Sequence, residues 1–323
     1  MTVNNDRQSE RQSDWQSDRQ TSAIATRTPT FLIIGVQKAG TTSIYNYLQQ
    51  HPQVYMSPVK ETNFFERDWQ QAPVERQRRK KNGILTWNQY QQLFTGATDT
   101  HLALGEASPN YMFHHQFAAE AIHRRLPEAK LIAVLRNPVQ RACSDYLMNL
   151  RDAVGKQTPL AEQVRSRGDS SYVLLKGKYY AQLKHFIDVF GRDRVDVFLY
   201  DDLKRDSQGF MQNLYRSIGV DSAFVADTAK KAQTAKEPKN QTVNRLLKTQ
   251  NPIRTAATGV MKLIPAPLRH QLRDRLIALN SQDKQEAKFT QEDTILLQQY
   301  YREDLLRLQD LLQRDLSSWL SQG

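Results

Sequence analysis

The stretch "FLIIGVQKAGTTSIYNYL", residues 31–48, decides the fold class of this chain. Four apolar residues lead into Gly35, and a lysine, a second glycine and three hydroxyl residues follow before a helical pattern. A strand that turns into a helix in this way points backbone N–H groups and the positive end of the helix dipole at one place. The stretch therefore predicts an anion-binding loop. Its predicted contacts are Gln37, Lys38, Ala39, Gly40, Thr41, Thr42 and Ser43.

The position of the lysine separates this loop from the one found in nucleotide triphosphatases. Gly35 and Gly40 keep the glycine spacing of G-x-x-x-x-G-K-[ST], but Thr41 stands at the lysine position and the lysine lies at 38. An ordinary strand-to-helix turn with a solvated lysine is the alternative interpretation. The coincidence of strand, glycine spacing, lysine and paired threonines favours phosphate binding.

Composition indicates an anionic ligand and a soluble chain. The 323 residues carry a net charge of +11, and the mean hydropathy is −0.68. Such a basic chain favours an anionic ligand or partner. No apolar run reaches the roughly 18 residues that a membrane helix needs, and no secretory signal is recognisable. A single cysteine, Cys143, fits a reducing compartment, so we expect a cytoplasmic protein.

The pattern along the chain predicts a tail and one domain. Residues 1–28 are built mainly from Arg, Gln, Ser and Asp, a composition that predicts disorder. In residues 29–323, short β-rich runs alternate with helical segments and end in an amphipathic helix. This alternation predicts an α/β fold with a central, mostly parallel sheet between two helical layers, similar to P-loop proteins. The predicted strands are "FLIIGV", "QVYMS", "LALGE", "LIAVLR" and "VDVFLY".

A second informative stretch is "KLIAVLRNPVQRACSDYLMNLR", residues 130–151. Arg136 follows a buried strand, and ligands of open α/β sheets bind beyond the carboxyl ends of strands, so Arg136 should face the crevice of the loop. Ser144, on the helix that follows, could add a hydroxyl to a second anion site, and Arg141 and Asp145 have the spacing of a structural ion pair. Alternatively, Arg136 makes a salt bridge at the sheet end.

These motifs resemble the sulfotransferases that use 3'-phosphoadenosine 5'-phosphosulfate, in particular the branch of the heparan sulfate N- and 3-O-sulfotransferases and their bacterial relatives. "GVQKAGTTSIYNYL" resembles the 5'-phosphosulfate loop of that family. "LRNPVQRACSDY" resembles its 3'-phosphate motif, and "SPVKETNFFE", residues 57–66, resembles its Lys-Glu-x-x-Phe-Phe segment. The resemblance covers roughly residues 30–321 in the same order.

The resemblance implies a role for each motif. Lys38 would stabilise the leaving group, Glu61 would be the general base, and Arg136 and Ser144 would hold the 3'-phosphate of the donor. Lys239, in "AKEPKNQTVNR", would belong to a loop that closes over the donor. The implied reaction is sulfuryl transfer from 3'-phosphoadenosine 5'-phosphosulfate to a hydroxyl or amine of a carbohydrate-like or small-metabolite acceptor, without a metal.

Several questions remain open at this level. Glu106 in "GEASPNYM" competes with Glu61 as the base, and Ala107 stands where the animal glycosaminoglycan enzymes carry a lysine, so a heparin-like acceptor is in doubt. The basic run "ERQRRKK", residues 75–81, is either a solvated face or an aid to an anionic acceptor. A P-loop kinase or NTPase, with Asp201 at a metal, and a nucleic-acid-binding module are the alternative functions. The sequence does not predict the oligomeric state.

Overall fold

The computed structural model describes most of the chain from residue 27 onward. The described ranges are 27–78, 82–151, 158–228, 237–238, 281–282 and 289–320. Of the predicted tail, only residues 27 and 28 are described, so its disorder stays a prediction. Lys239 and the last three residues of the basic run 75–81 lie outside the described residues.

Five parallel strands form the central sheet, in the order β2-β3-β1-β4-β5. They are β1 Phe31–Gly35, β2 Val54–Met56, β3 Ala103–Ala107, β4 Lys130–Leu135 and β5 Val195–Leu199. Each corresponds to one of the five predicted apolar runs, and the predicted parallel arrangement is confirmed. A separate antiparallel pair joins β6 Glu237–Pro238 to β7 Ser281–Gln282.

Helices connect the strands and flank the sheet. They are α1 Thr41–Leu48, α2 Val74–Arg78, α3 Trp87–Gln91, α4 His115–Arg125, α5 Pro138–Arg151, α6 Leu160–Arg167, α7 Tyr172–Leu175, α8 Tyr179–Phe190, α9 Tyr200–Arg205, α10 Ser207–Ser217, α11 Gln291–Leu312 and α12 Ser317–Leu320. Short 3-10 turns lie at Phe64–Glu66, Gln92–Phe94 and Arg192–Arg194.

Strand β1 lies at the centre of the sheet, and this position organises the site. Phe31 of β1 pairs with Gly105 of β3 on one side and with Lys130 of β4 on the other. All five residues of β1 are buried. Because parallel strands end at the same edge, the loops after β1, β3, β4 and β5 meet there.

The amphipathic pattern near the C-terminus forms two helices instead of one. Leu305 and Leu308 lie in α11 and are buried, as the spacing predicts. The helix ends because Gln313 adopts a left-handed backbone with φ 50. Trp319 consequently belongs to α12, where its indole donates to Asp201 Oδ2 at 2.9 Å. No helix within the described ranges is long and apolar enough to cross a membrane.

Candidate functional site

The loop between β1 and α1 has the form of an anion-binding turn. Gly40 precedes the helix with φ 78, and α1 begins at Thr41 with no side chain capping it. The first amides of a helix have no partner within the helix, so they present donors together with the positive end of the helix dipole. Thr41 is buried, Thr42 is exposed and Ser43 is half-buried. The predicted loop therefore has the donors that an anion requires.

Lys38 is held in an uncommon backbone conformation within this loop. Its φ is 72, a left-handed value that costs a residue with a side chain free energy. Its ammonium lies 3.5 Å from the sulfur of Met148 on α5. Outliers of this kind concentrate at functional sites, where the surrounding structure enforces them.

Arg136 lies directly against the loop. Its Nη1 donates to the carbonyl oxygen of Lys38 at 2.9 Å, and its guanidinium stacks over the ring of Tyr200 at 5.0 Å. Tyr179, which is fully buried, donates its hydroxyl to the carbonyl oxygen of Arg136 at 2.8 Å. The two predicted anion sites are therefore neighbours, because β1 and β4 are adjacent strands.

The Nε atom of Arg136 indicates what this residue can bind. It is buried and has no hydrogen-bond partner among the described residues. Burial also lowers the pKa of the guanidinium, which means that the charged form is poorly solvated. A bound anion would satisfy the donor and compensate the charge, so this environment fits a phosphate group.

Helix α5 carries Ser144, the other predicted residue of the second anion site, together with the predicted structural pair. Ser144 is half-buried there, next to Cys143, whose pKa burial raises to about 12 although the charge of Arg136 opposes that rise. Arg141 and Asp145 form the predicted ion pair, with Nη1 and Oδ2 3.0 Å apart and both side chains buried. That structural assignment is confirmed.

Glu61 lies at the same edge of the sheet, on the loop after β2. Its φ is 59, again left-handed, and its amide donates to the carbonyl oxygen of Ala107 at 2.9 Å. The side-chain amide of Asn82 donates a hydrogen bond to the carbonyl oxygen of Glu61 at 3.1 Å. The carboxylate accepts from Lys60 Nζ at 2.7 Å and is 42% exposed, so it is accessible to a substrate.

Glu106 has a different environment. Its side chain is fully buried, and its oxygens accept hydrogen bonds from four hydroxyl groups. The donors are Thr62, Tyr90, Ser108 and Tyr111. Burial, and then the charge of Glu106, raise the pKa values of Tyr90 and Tyr111 well above the usual range, so both phenols stay protonated donors. This carboxylate holds Thr62, the residue after Glu61, and forms no salt bridge with Arg136 among the described residues.

Lys176 is a residue of the site that the sequence motifs do not indicate. Its ammonium donates to Gln37 Oε1 at 2.6 Å and lies 3.8 Å from Asp145 Oδ2. It also interacts electrostatically with Glu61. In the sequence, Lys176 stands directly before Gly177 and outside the motifs described above.

Phe113 and His114, which follow β3, have aromatic and charged neighbours. Nε2 of His114 lies 3.9 Å from Glu66 Oε2, and Phe113 packs against the exposed ring of Tyr172 at 5.5 Å. Burial, followed by the positive charges of Arg67 and Lys176, lowers the pKa of His114 to about 4. The imidazole is therefore neutral at physiological pH and available for hydrogen bonding.

Asp201 is paired with neighbouring side chains. Its carboxylate lies 2.7 Å from Lys204 Nζ and accepts from Trp319. The described ranges contain no group of three or more His, Cys, Asp or Glu residues that could hold a metal ion.

Comparison with known proteins places these features in a family. A family model described as "Sulfotransferase family" matches residues 29–224. Human heparan sulfate glucosamine 3-O-sulfotransferase 6 is 32% identical over 168 residues, which are 51% of this chain and 44% of that protein. Human bifunctional heparan sulfate N-deacetylase/N-sulfotransferase 2 is 26% identical over 215 residues, 60% of this chain and 22% of that protein.

A solved structure agrees over a larger part of the chain. The crystal structure of a sulfotransferase from Alicyclobacillus acidocaldarius has a TM-score of 0.65 and 27% identity, and it covers 91% of this chain and 100% of that one. The matched segments of the curated relatives, in contrast, span less than half of each of the two human proteins.

Proposed function

The chain belongs to the sulfotransferase family, and from this membership we propose that it transfers a sulfuryl group from 3'-phosphoadenosine 5'-phosphosulfate to a hydroxyl or amine of an acceptor. The observation that carries the proposal is the contact between Arg136 Nη1 and the carbonyl oxygen of Lys38. This contact brings a cation with an unsatisfied Nε beside an anion-binding loop. A ligand with phosphates at two positions suits this pair of sites.

The residues of the loop and of β4 would position the donor. The amides of residues 40–43 and the hydroxyls of Thr41, Thr42 and Ser43 bind the 5'-phosphate. Arg136 and Ser144 hold the 3'-phosphate, so that the sulfur faces the acceptor. Transfer of this kind depends mainly on positioning and on stabilising the charge that develops on the oxygens.

Lys38 and Glu61 then perform the chemistry in this proposal. Lys38 stabilises the negative charge that grows on the oxygen between phosphorus and sulfur. Glu61 accepts the proton of the attacking hydroxyl or amine, and its partial exposure supports that role. Lys60, whose ammonium lies 2.7 Å from the carboxylate, restricts the orientation of the base.

We further propose that the acceptor is a carbohydrate. The names of the human relatives describe enzymes that act on heparan sulfate. In this chain, the exposed ring of Tyr172, which packs against Phe113, offers an aromatic face. The neutral His114, which like Glu61 interacts with Lys176, offers a hydrogen bond. Arg67 adds positive charge for an acidic sugar.

The test uses labelled donor and purified protein. We expect calorimetry to show much tighter binding of 3'-phosphoadenosine 5'-phosphate than of AMP or ADP. We also expect labelled sulfate to appear on a glycan from a panel of acidic and neutral saccharides. Equal affinity for the three nucleotides would exclude the two-site proposal.

Magnesium-dependent hydrolysis of ATP without sulfate transfer would instead indicate the P-loop NTPase alternative. Salt-dependent DNA binding without nucleotide binding would indicate the nucleic-acid alternative. The cytoplasmic location, which rests on the cysteine content, stays a prediction.

A further inference from the structure

Lys176 lies at a position where three parts of the site meet. Its ammonium donates to Gln37 of the donor loop at 2.6 Å and faces Asp145 of α5 at 3.8 Å. Glu61 interacts with the same ammonium. The side chain is 20% exposed, so its charge is largely removed from solvent.

The backbone that carries Lys176 is fixed by side chains from three helices. Carbonyl groups at the end of a helix lack partners within the helix. At the end of α7 these groups accept side-chain donors from α5, α8 and α11. The pairs are Arg141 with Val173, Gln182 with Leu175 at 2.9 Å, and Tyr301 with Leu174 at 2.9 Å.

Gly177 completes this support. A Cβ at this position would lie 2.8 Å from the ring of Tyr301, so α11 packs directly on the backbone next to Lys176. Asp304, also on α11, accepts the amide of Tyr179 at 2.7 Å at the start of α8. The backbone that carries Lys176 is therefore fixed on several sides, and its ammonium reaches Gln37 from this fixed base.

The electrostatic surroundings explain why a cation is retained here. Burial lowers the pKa of Lys176, and Asp145 counteracts that effect. Arg141 also lies near and is paired with Asp145 at 3.0 Å. Glu61 and His114 also interact electrostatically with the ammonium. Burial of a charged lysine costs free energy. Asp145 already has Arg141 as a partner, so neutralising Asp145 does not by itself account for Lys176. The contact of Lys176 with Gln37 of the loop is the remaining explanation.

We propose that Lys176 is a positioning residue of the donor site, whose ammonium holds Gln37 and with it the loop of residues 37–43 in the conformation that receives the 5'-phosphate. This inference rests on the proposed function, because it assigns the 5'-phosphate to that loop. Lys176 acts on the donor through Gln37, whereas Arg136 acts at the 3'-phosphate. The two residues should therefore affect different parts of the nucleotide.

The test compares Lys176→Met with the matched control Lys178→Met. Lys178 is two residues away, but its ammonium donates to the carbonyl oxygen of Tyr300 at 2.6 Å, away from the loop. Calorimetry measures the affinity of each variant for 3'-phosphoadenosine 5'-phosphate and for AMP. We expect Lys176→Met to weaken both nucleotides by the same factor, about 10- to 100-fold, the range for one hydrogen bond to a charged group. Lys178→Met should bind both as the wild type does.

The constant ratio between the two nucleotides distinguishes an effect on the loop from a defect that reaches the 3'-phosphate site. A defect transmitted through Tyr179 to Arg136 would weaken the 3'-phosphorylated nucleotide more than AMP and would overturn the inference. Lys176→Arg, which keeps a donor and the charge, should recover most of the affinity. Unchanged affinity in Lys176→Met, or an equal loss in Lys178→Met, would also overturn it.

A second variant tests the same contact without relying on the correct folding of Lys176→Met. Gln37→Leu removes the same contact from the side of the loop and should reproduce the loss, and the double variant should lose no more than either single variant. Additive losses would mean that Lys176 does not act through Gln37. If the wild type binds neither nucleotide, the proposed function fails as well. If the wild type binds both and Lys176→Met binds equally well, only the positioning role of Lys176 fails.

Discussion

The amide of Glu61 donates to the carbonyl oxygen of Ala107 at 2.9 Å, so the loop that carries Glu61 is attached to the end of β3. One residue earlier on the same strand, the carboxylate of Glu106 is buried under four hydroxyl donors. The backbone of Glu61 is therefore attached next to Glu106, but the two carboxylates differ in their exposure to solvent. The carboxylate of Glu61 is accessible to a substrate. The carboxylate of Glu106 is buried and binds the hydroxyl of Thr62 in the same loop as Glu61.

Substitution of each carboxylate should separate their roles. Glu61→Gln keeps shape but removes the proton acceptor, so we expect turnover to fall by about 10² to 10⁴-fold while donor affinity and unfolding temperature stay unchanged. Glu106→Gln places an NH₂ group among hydroxyl donors, and we expect a loss of about 2 kcal/mol or more in the free energy of unfolding. The measurements are sulfate transfer and urea unfolding. An active Glu61→Gln together with a folded, inactive Glu106→Gln would transfer the role of base to Glu106.

Removal of the Arg136 side chain should reveal the 3'-phosphate site. Arg136→Ala should weaken binding of 3'-phosphoadenosine 5'-phosphate by about 100-fold, because a charge-assisted contact is lost. The affinity for AMP should fall only a few-fold. This smaller loss is expected because the hydrogen bond from Arg136 to the carbonyl oxygen of Lys38 also disappears. Calorimetry with both nucleotides measures the difference. Equal losses for the two would mean that Arg136 only supports the loop.

Gly40 should be required for the shape of the donor loop. Its φ is 78, and a Cβ there would lie 2.8 Å from the ring of Tyr200 and 3.0 Å from Leu203. Gly83 is a matched control, because its φ is 64 and a Cβ added there would meet no atom within 4 Å. Each change to Ala should cost roughly 1 kcal/mol from the left-handed backbone.

Only Gly40→Ala should add a steric conflict and reduce donor affinity. Urea unfolding and nucleotide calorimetry measure the two effects separately. Identical behaviour of the two alanine variants would show that Tyr200 and Leu203 move away without consequence for the loop.

His114 should make stability depend on acid pH. Burial and the charges of Arg67 and Lys176 lower its pKa from 6.5 to about 4 in the folded chain. Between these values the unfolded chain binds more protons than the folded one, so the free energy of unfolding decreases as the pH falls from 6.5 to 4. After allowance for solvent screening of a partly exposed ring, the contribution is about 1 to 2 kcal/mol.

The comparison of wild type with His114→Gln tests this dependence. Urea unfolding at neutral and acid pH should show a smaller acid loss in the variant, which cannot take up that proton. Equal losses in both proteins would assign the effect to other groups, such as His115, whose pKa burial also lowers.

The sequence by itself determined the fold and the places of the two predicted anion-binding motifs at the strand ends. The five apolar runs form five parallel strands because such runs are buried between layers of helices. The apolar pattern of each run is contained in a few neighbouring residues, so the sequence shows it directly. Gly40 and Arg136 were likewise predictable, because a strand end fixes where the next residues point. The family resemblance, and no spacing rule, selected Glu61 as the proposed base.

Tertiary structure alone decided which side chains are buried and which face one another. Both Glu61 and Glu106 lie at or near a strand end, so their sequence contexts do not separate them. Only the tertiary structure shows that Glu106 is enclosed by four hydroxyl groups, those of Thr62, Tyr90, Ser108 and Tyr111. Lys176 carries no motif, since its contact with Gln37 joins residues far apart in the sequence. The left-handed backbones of Lys38 and Glu61 are also imposed by their surroundings, because neither residue type favours that conformation locally. Such features depend on the sum of distant contacts, which a local pattern does not contain.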